Sequence, residues 1–380
     1  MRGHIRKRGS KYEILIYENL VDGSRKYRPF SGYNSRREAE EALPDILKAA
    51  QENTMVAYNS MKMKEYLDVW LKEHVARNVT GGTEDKYKAA SKIAKKAIGE
   101  VNLQKVGPAE IQRFVNEASE DRAPSTVNSY YNAIKAAFTV ARKWQLVSIN
   151  PCHDVILPTQ KKQVMKTYTK EQVQALLEEA EGTIFYLPIL LYVSCGLRRG
   201  EALGLKWRDV DLTQRVMQIQ ESYTTSSRGA HQGTPKTSGS HRSVDFSQAA
   251  KEALEEQKAK QEKILELPND KITDLQERKK ALREQRKTMM DTYVCTWPDN
   301  APIEPGYAGK QIKILMDKAG LEVIRVHDLR HTHATLLLQA GVHPKVVQER
   351  LGHSDISITL NTYSHVTRSM QRQAADILNF

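Results

Sequence analysis

Cysteine is scarce in this chain. Its three thiols, Cys152, Cys195 and Cys295, are too few and too far apart for a disulfide framework or a Cys-x-x-Cys metal site. Long apolar runs are also missing, and nothing approaches the roughly 18–20 residues of a membrane span. The opening Met1-Arg2-Gly3-His4-Ile5-Arg6 is basic but has no apolar signal-peptide core. No Gly-x-x-x-x-Gly-Lys-[Ser/Thr] loop is present to cradle a nucleotide. Acidic residues fall short of basic ones, 46 against 58, leaving a formal net charge of +12. A reduced, cytoplasmic protein with a polyanionic partner is expected, either nucleic acid or an acidic membrane surface. At 380 residues the chain has room for two or three domains with their own cores.

The positive charge is concentrated at the start. Residues 1–37 hold ten Lys/Arg against three Asp/Glu. Tyr12–Glu18 is rich in β-formers, and Lys26–Phe30 is expected to be a second strand, with Asp22-Gly23 marking the turn between them. Ser35-Arg36-Arg37-Glu38 has capping-box spacing and opens a helix to about Ala50. Basic side chains on a strand platform favour contact with a DNA backbone, and Arg6, Lys7, Arg8 and Arg28 are the candidates. A merely solvated basic surface is the plainer alternative.

Residues 61–150 carry helical periodicity. Tyr66, Val69, Trp70 and Leu71 begin one apolar stripe; Tyr87, Ala90, Ala94 and Ala97 form the next. Lys88, Lys92, Lys95 and Lys96 line the opposite side of that second helix and are candidate phosphate contacts, or a solvated face. A third helix starts at Ala123-Pro124-Ser125, with Val127, Tyr131, Ile134, Phe138, Ala141 and Trp144 on its buried side. Asn150-Pro151 closes the domain, because a residue before proline is pushed out of the helical region. A polar linker follows, and Thr169-Lys170-Glu171-Gln172, another capping box, announces a new domain. Beyond it come an apolar run from Ile184 to Val193, a strand at Val216–Ile219, a hairpin tip over 234–240 and the segment Ser243-Val244-Asp245. Between 251 and 287, eleven Lys/Arg alternate with nine Asp/Glu around Pro268-Asn269-Asp270. That texture predicts two helices in an exposed, solvated hairpin, with a protein-contact arm as the alternative.

The last fifty-odd residues hold the chemistry-bearing groups. His327 and Arg330 are three apart and share one helix face, where guanidinium and imidazole make an anion receptor. Three readings compete. His327, His331 and His333 have spacing for a metal on a helix, but no glutamate base follows the first histidine and Arg330 would bring a cation beside the ion. The same residues could simply cap and pack the helix. Or they surround a phosphodiester with Arg198, Lys236 and His353, and Tyr363 attacks it.

The order of these groups resembles the tyrosine recombinase (lambda-type integrase) family, of the mobile-element or phage type. The resemblance rests on Gly196-Leu197-Arg198-Arg199-Gly200-Glu201, Pro235-Lys236-Thr237, His327-Asp328-Leu329-Arg330 continued by His331-Thr332-His333-Ala334, Leu351-Gly352-His353, and Asn361-Thr362-Tyr363-Ser364-His365. It implies a mainly α fold with small β-sheets in three domains. These are a β-sheet-plus-helix arm-binding domain over 1–55, a helical core-binding domain over 61–152, and a mixed α+β catalytic domain over 167–380 carrying the charged insertion at about 250–290. It further implies cutting and rejoining of double-stranded DNA, at core and arm sites, through a 3′-phosphotyrosyl link on Tyr363. The implied roles are phosphate clamping by Arg198 and Arg330, general acid/base work by His327, hydrogen bonding by His353, and leaving-group protonation by Lys236, with Lys206 its nearby rival. Glu201 would orient a neighbour.

No metal, nucleotide or other cofactor is implied, since the phosphotyrosyl link keeps the energy of the diester. The family assembles as a tetramer on DNA, so nucleoid association during the reaction, and partnership with an excisionase or a DNA-bending protein, are expected. Ala374, Ile377, Leu378 and Phe380 would pack on a neighbouring subunit or on their own domain. The alternatives are DNA relaxation of the type IB topoisomerase kind, or a DNA-binding regulator without catalysis.

Overall fold

The computed structural model describes residues 2–19, 25–51, 59–79, 81–160, 165–226, 229–233, 241–265, 284 and 287–357. They divide between two compact units, 1–162 and 163–380. Among the described residues no helix is long and apolar enough to cross a membrane.

The first unit begins with an antiparallel sheet of β1 (Arg2–Arg8), β2 (Lys11–Asn19) and β3 (Arg25–Tyr33), in that order. Alternation along β2 turns Ile14 and Ile16 into a small core with Phe30 and Ala39, the latter from α1 (Arg36–Gln51). Strand β1 is not anticipated by the sequence reading, because Ile5 is its single strong apolar residue. The hairpin signal is there nonetheless: Gly9-Ser10 is a two-residue connection, and Gly9 takes φ +63°. On the other face of β2, Glu13 is buried. It accepts a hydrogen bond from Arg6, another from Ser31 Oγ at 2.9 Å, and lies 3.6 Å from Arg8. These partners, Arg6 first and then Ser31, hold its carboxyl below the usual range against the opposing effect of burial.

A helical core follows, built from α2 (Met63–Trp70), α3 (Gly81–Ile98), α4 (Pro108–Ser119) and α5 (Pro124–Lys143). Tyr66, Leu67, Trp70, Ala90, Ala94, Phe114, Ile134 and Phe138 are buried in it, and Tyr87 stacks on Trp70 with ring centroids 5.0 Å apart. Two expected core residues are not buried. Val69 is 38 % exposed and Trp144 is 39 % exposed. Leu67 takes the place assigned to Val69, since a 3.6-residue turn carries 63, 66, 67 and 70 inward and 69 out. Trp144 lies past the end of α5 and meets Tyr66 and His74 edge-on at 6.4 Å.

The second unit is organised around α7 (Tyr186–Cys195), which follows α6 (Lys170–Ala180), itself started by the Thr169–Gln172 capping box. Helix α7 is apolar on every side, with Leu187, Ile189, Leu190, Leu191, Tyr192, Val193 and Cys195 all buried, as a central helix must be. After it come α8 (Arg199–Gly204), then β4 (Val210–Asp211), β5 (Val216–Ile219), β6 (Ser222–Ser226), β7 (Gly229–Gly233) and β8 (Arg242–Asp245). Strands β4, β5 and β8 form one sheet, β6 and β7 a separate hairpin. Helix α8 lies against β6: a Cβ on Gly200 would come within 2.4 Å of Ser222 Oγ. The described residues continue through α9 (Gln248–Leu265), α10 (Pro305–Lys318), α11 (Val326–Gln339) and α12 (Pro344–Leu351). The expected turn at 22–23, the hairpin tip over 234–240, the proline break at 268–270 and the C-terminal segment 370–380 lie outside the described residues.

The expectation of a solvated insertion fails for its first helix. Ala250, Leu254 and Gln261 of α9 are buried. Gln261 Oε1 accepts from Trp207 Nε1 at 2.6 Å, while its Nε2 donates to Tyr293 O at 2.9 Å and to Thr296 Oγ1 at 2.7 Å. A glutamine among charged residues gives no apolar signal, so composition hides its burial. Replacing Gln261 by leucine orphans these groups and should cost at least about 2 kcal/mol in urea denaturation. A detachable arm would shift stability by no more than about 0.5 kcal/mol.

Candidate active site

The site starts where α7 ends. Gly196 takes φ +67°, and a Cβ there would approach His333 Cδ2 to 2.6 Å, so only glycine turns the chain at this point. The turn leaves Arg198 extended at the N-cap of α8. Its backbone N–H donates to Glu201 Oε2 at 2.9 Å, and its Nη1 donates to Glu201 Oε1 at 2.6 Å. Glu201 is 3 % exposed and serves three arginines. Arg242, on β8, donates to Oε2 from Nη2 at 2.8 Å and to Oε1 from Nη1 at 3.2 Å. Arg330 Nη1 lies 3.8 Å from Oε2. Burial alone would raise the pKa of this carboxyl. The bond from Arg242, with the charges of Arg242, Arg198 and Arg330, overturns that and holds it at about 2.

Arg330 is itself 2 % exposed. Its Nη1 donates to Gly196 O at 2.7 Å and its Nη2 to Leu351 O. Gly196 follows α7 and Leu351 ends α12, so one guanidinium on α11 satisfies the carbonyl ends of two helices. Helix α12 stops at Gly352, in the left-handed region, and His353 follows directly. The sequence order of 196–201, 327–330 and 351–353 thus converges in space because Arg330 ties the three segments together.

His327 and His331 meet edge to face, ring centroids 4.9 Å apart. The His327 pKa is pushed down to about 4, by desolvation and then by His331, Arg330 and Arg198. The residue keeps exposed surface, so water tempers the first cause and the cations are the durable one. His353 is pushed to about 4 by desolvation, Arg330, Arg198, His331 and Arg242. His331 moves the same way, through burial first. His333 has both ring nitrogens committed: Nδ1 to Val193 O at 2.9 Å, and Nε2 accepting from Arg350 Nε at 3.1 Å. That leaves it no lone pair for a metal, so the reading of 327, 331 and 333 as a ligand set fails at its third member.

These shifts carry a pH consequence. With folded pKa values of about 4 at His333 and His353 against an ordinary 6.5, the unfolded chain binds protons first as pH falls. The stability they contribute is whole above about 6.5 and is lost progressively towards pH 4. Thermal melting should therefore fall measurably between pH 7 and pH 5; a flat melting temperature would contradict neutral imidazoles.

Arg198, His327, Arg330 and His353 share this site. Lys236 and Tyr363 lie outside the described residues. Lys206, the rival to Lys236, sits with Nζ 5.2 Å from the centroid of the Tyr293 ring. In the first unit, the guanidinium of Arg6 is bound to Glu13, with Arg8 beside it, Lys7 is exposed, and the side chain of Arg28 is outside the described set. Lys88 pairs with Glu84 at 2.7 Å, Lys95 with Asp68 and Lys96 with Glu117, while Lys92 makes no ion pair among the described residues. The sequence reading missed Arg242 and Arg350. The alternation Arg242-Ser243-Val244-Asp245 marks a strand, but nothing local signals that its arginine is buried on a distant carboxylate.

Comparison with known proteins adds an independent line. Residues 166–370 match the phage integrase family model. A XerC-like tyrosine recombinase of Caldanaerobacter subterraneus subsp. tengcongensis is 26 % identical over 362 residues, covering 91 % of this chain and 90 % of that protein. The transposase of transposon Tn916 from Enterococcus faecalis is 29 % identical over 309 residues, covering 79 % of this chain and 73 % of its own. Among solved structures, the Tn1549 transposon integrase in complex with transposon right end DNA matches with a TM-score of 0.67 at 21 % identity, over 84 % of this chain and all of that one. A lambda integrase dimer bound to a core site matches with a TM-score of 0.54 at 16 % identity, over 80 % of this chain and 95 % of that one.

Proposed function

The chain belongs to the phage integrase family, and on that premise we propose how its residues divide the work of a tyrosine recombinase of the mobile-element type. It is a site-specific recombinase acting on double-stranded DNA. The observation that carries the assignment of residues is the cluster itself: Arg198 and Arg330 on one carboxylate, with two neutral imidazoles at hand.

Tyr363 Oη attacks the scissile phosphorus, the bond from phosphorus to the 5′ oxygen breaks, and a 3′-phosphotyrosyl link remains. A phenol has a pKa near 10, so the attack needs a base. His327, neutral through desolvation and its cationic neighbours, accepts the phenolic proton. Lys236 gives the departing 5′ oxygen its proton. The guanidinium of Arg198, 35 % exposed, meets the phosphate; Arg330 stiffens the floor beneath it and adds its charge. His353 donates to a non-bridging oxygen. Attack by the 5′-hydroxyl of a second strand reverses the step and restores Tyr363, with no change in the number of phosphodiester bonds.

Arg6, Lys7, Arg8 and Arg28 of the N-terminal sheet, and Lys88, Lys92, Lys95 and Lys96 of α3, contact the DNA backbone at arm and core sites respectively, in domains spanning 1–55, 61–152 and 167–380. The carboxylate partners of Arg6, Arg8, Lys88, Lys95 and Lys96 are exchanged for phosphates on binding, which makes affinity salt-dependent. Four copies assemble on two DNA sites, one per cleaved strand, and the enzyme is nucleoid-associated while acting. An excisionase and a DNA-bending protein are its proposed accessory partners.

The test is trapping. The full chain is incubated with a random-sequence library of nicked duplexes, and protein-linked DNA is recovered and sequenced. Enrichment of discrete sites supports the reading; no covalent DNA would overturn it. A plasmid carrying two recovered sites then separates strand exchange, which gives recombinant junctions, from relaxation alone.

A further inference from the structure

Arg242, like Arg350, has no role in the sequence motifs, yet it is buried and firmly held at the site. Its side chain is 6 % exposed. Two of its nitrogens bond the Glu201 carboxylate, at 2.8 and 3.2 Å, and its Nε donates to Arg350 O at 2.8 Å. Arg350 in turn donates to His333 Nε2, to Ser194 O and to Asp245 O. Strand β8 is therefore tied to the ends of α7, α8 and α12 through two guanidinium groups.

Charge explains why a third arginine belongs here. A buried carboxylate facing only Arg198 and Arg330 would cancel half of their positive field. With Arg242 included, the four groups carry a net charge of +2. A phosphodiester is monoanionic, while the pentacovalent species formed on attack is dianionic. A field of two positive charges favours the second over the first, which is what accelerates a reaction, since only interactions stronger in the transition state do so.

We propose that Arg242 is a positioning residue for DNA cleavage, which neutralises Glu201 so that Arg198 and Arg330 keep their full charge for the phosphate. This rests on the recombinase reading above. Arg242 does not touch DNA in this scheme; it acts through Glu201.

The experiment uses the full chain and a nicked duplex recovered by the trapping selection, with single-turnover adduct formation and DNA binding measured separately. Adduct formation by the unaltered chain establishes the recombinase reading, so its failure is distinguishable from that of the present proposal. Arg242→Met should lose about 10–100-fold in adduct formation while binding DNA within about threefold of the unaltered chain. Arg242→Met/Glu201→Gln should lose no more than Arg242→Met, because the uncompensated carboxylate is then gone. Cleavage at the unaltered rate in Arg242→Met, parallel losses of binding and cleavage, or multiplicative losses in the double variant would each overturn the proposal. Should Arg242→Met fail to fold, Arg242→Lys decides. A lysine keeps the charge in place, so cleavage within about threefold of the unaltered chain supports the electrostatic role, and a loss of 10-fold or more rejects it.

Discussion

Tyr363→Phe should form no covalent DNA complex and should lose strand cleavage by about four orders of magnitude or more, the scale seen when a nucleophile is removed from a site whose binding groups remain. The phenyl ring keeps the shape of the side chain and removes the one atom proposed to bond to phosphorus. DNA affinity should change little, since the proposed backbone contacts lie on the basic faces of the N-terminal sheet and of α3. Loss of binding together with cleavage would mean the phenol holds DNA rather than attacks it.

Arg330→Met should be the most damaging change among the described residues. Two effects combine. The buried guanidinium satisfies Gly196 O and Leu351 O and faces Glu201. Removing it strands a buried carboxylate against fewer cations, a class of change that costs about 3–5 kcal/mol. Cleavage should fall by about a thousandfold, because the charge Arg330 adds at the phosphate is lost together with the floor that holds Arg198, an electrostatic loss on the scale of an oxyanion-hole contact. Arg330→Lys separates the two effects. A single ammonium restores charge but cannot reach both helix ends, so it should recover part of the stability and little of the rate. Guanidinium denaturation and single-turnover cleavage measure the pair. Arg330→Lys with unaltered cleavage would show that the planar fork is irrelevant.

What the sequence made legible follows a physical division. Signals carried by neighbours in the chain were readable: the Thr169–Gln172 box that starts α6, the all-apolar run of α7, the β-formers of β2 and the alternation of β5. Groups that depend on partners far along the chain were not. Arg242 matters because Glu201 lies 41 positions away, and Gln261 because Trp207 and Thr296 enclose it. Strand β1 escaped because its pairing with β2 supplies the stability that its own composition lacks. The convergence of Arg198, His327, Arg330 and His353 was readable through motif order, while the depth of burial of Arg330 was not, since arginine is ordinarily a surface residue. Val69 and Leu67 show the same limit on a small scale: residues two apart on a helix point about 160° apart, so a stripe begun at Val69 instead of Leu67 turns the wrong one inward.

The central claim is that one named phenol becomes joined to DNA. Sixteen tyrosines compete for that role in the chain. The adduct trapped on a nicked duplex, digested with protease and nuclease and sequenced by mass spectrometry, identifies the residue directly. A phosphonucleotide on the peptide containing Asn361-Thr362-Tyr363-Ser364 is the predicted result. A nucleotide on any other tyrosine, or on a serine, would contradict the account.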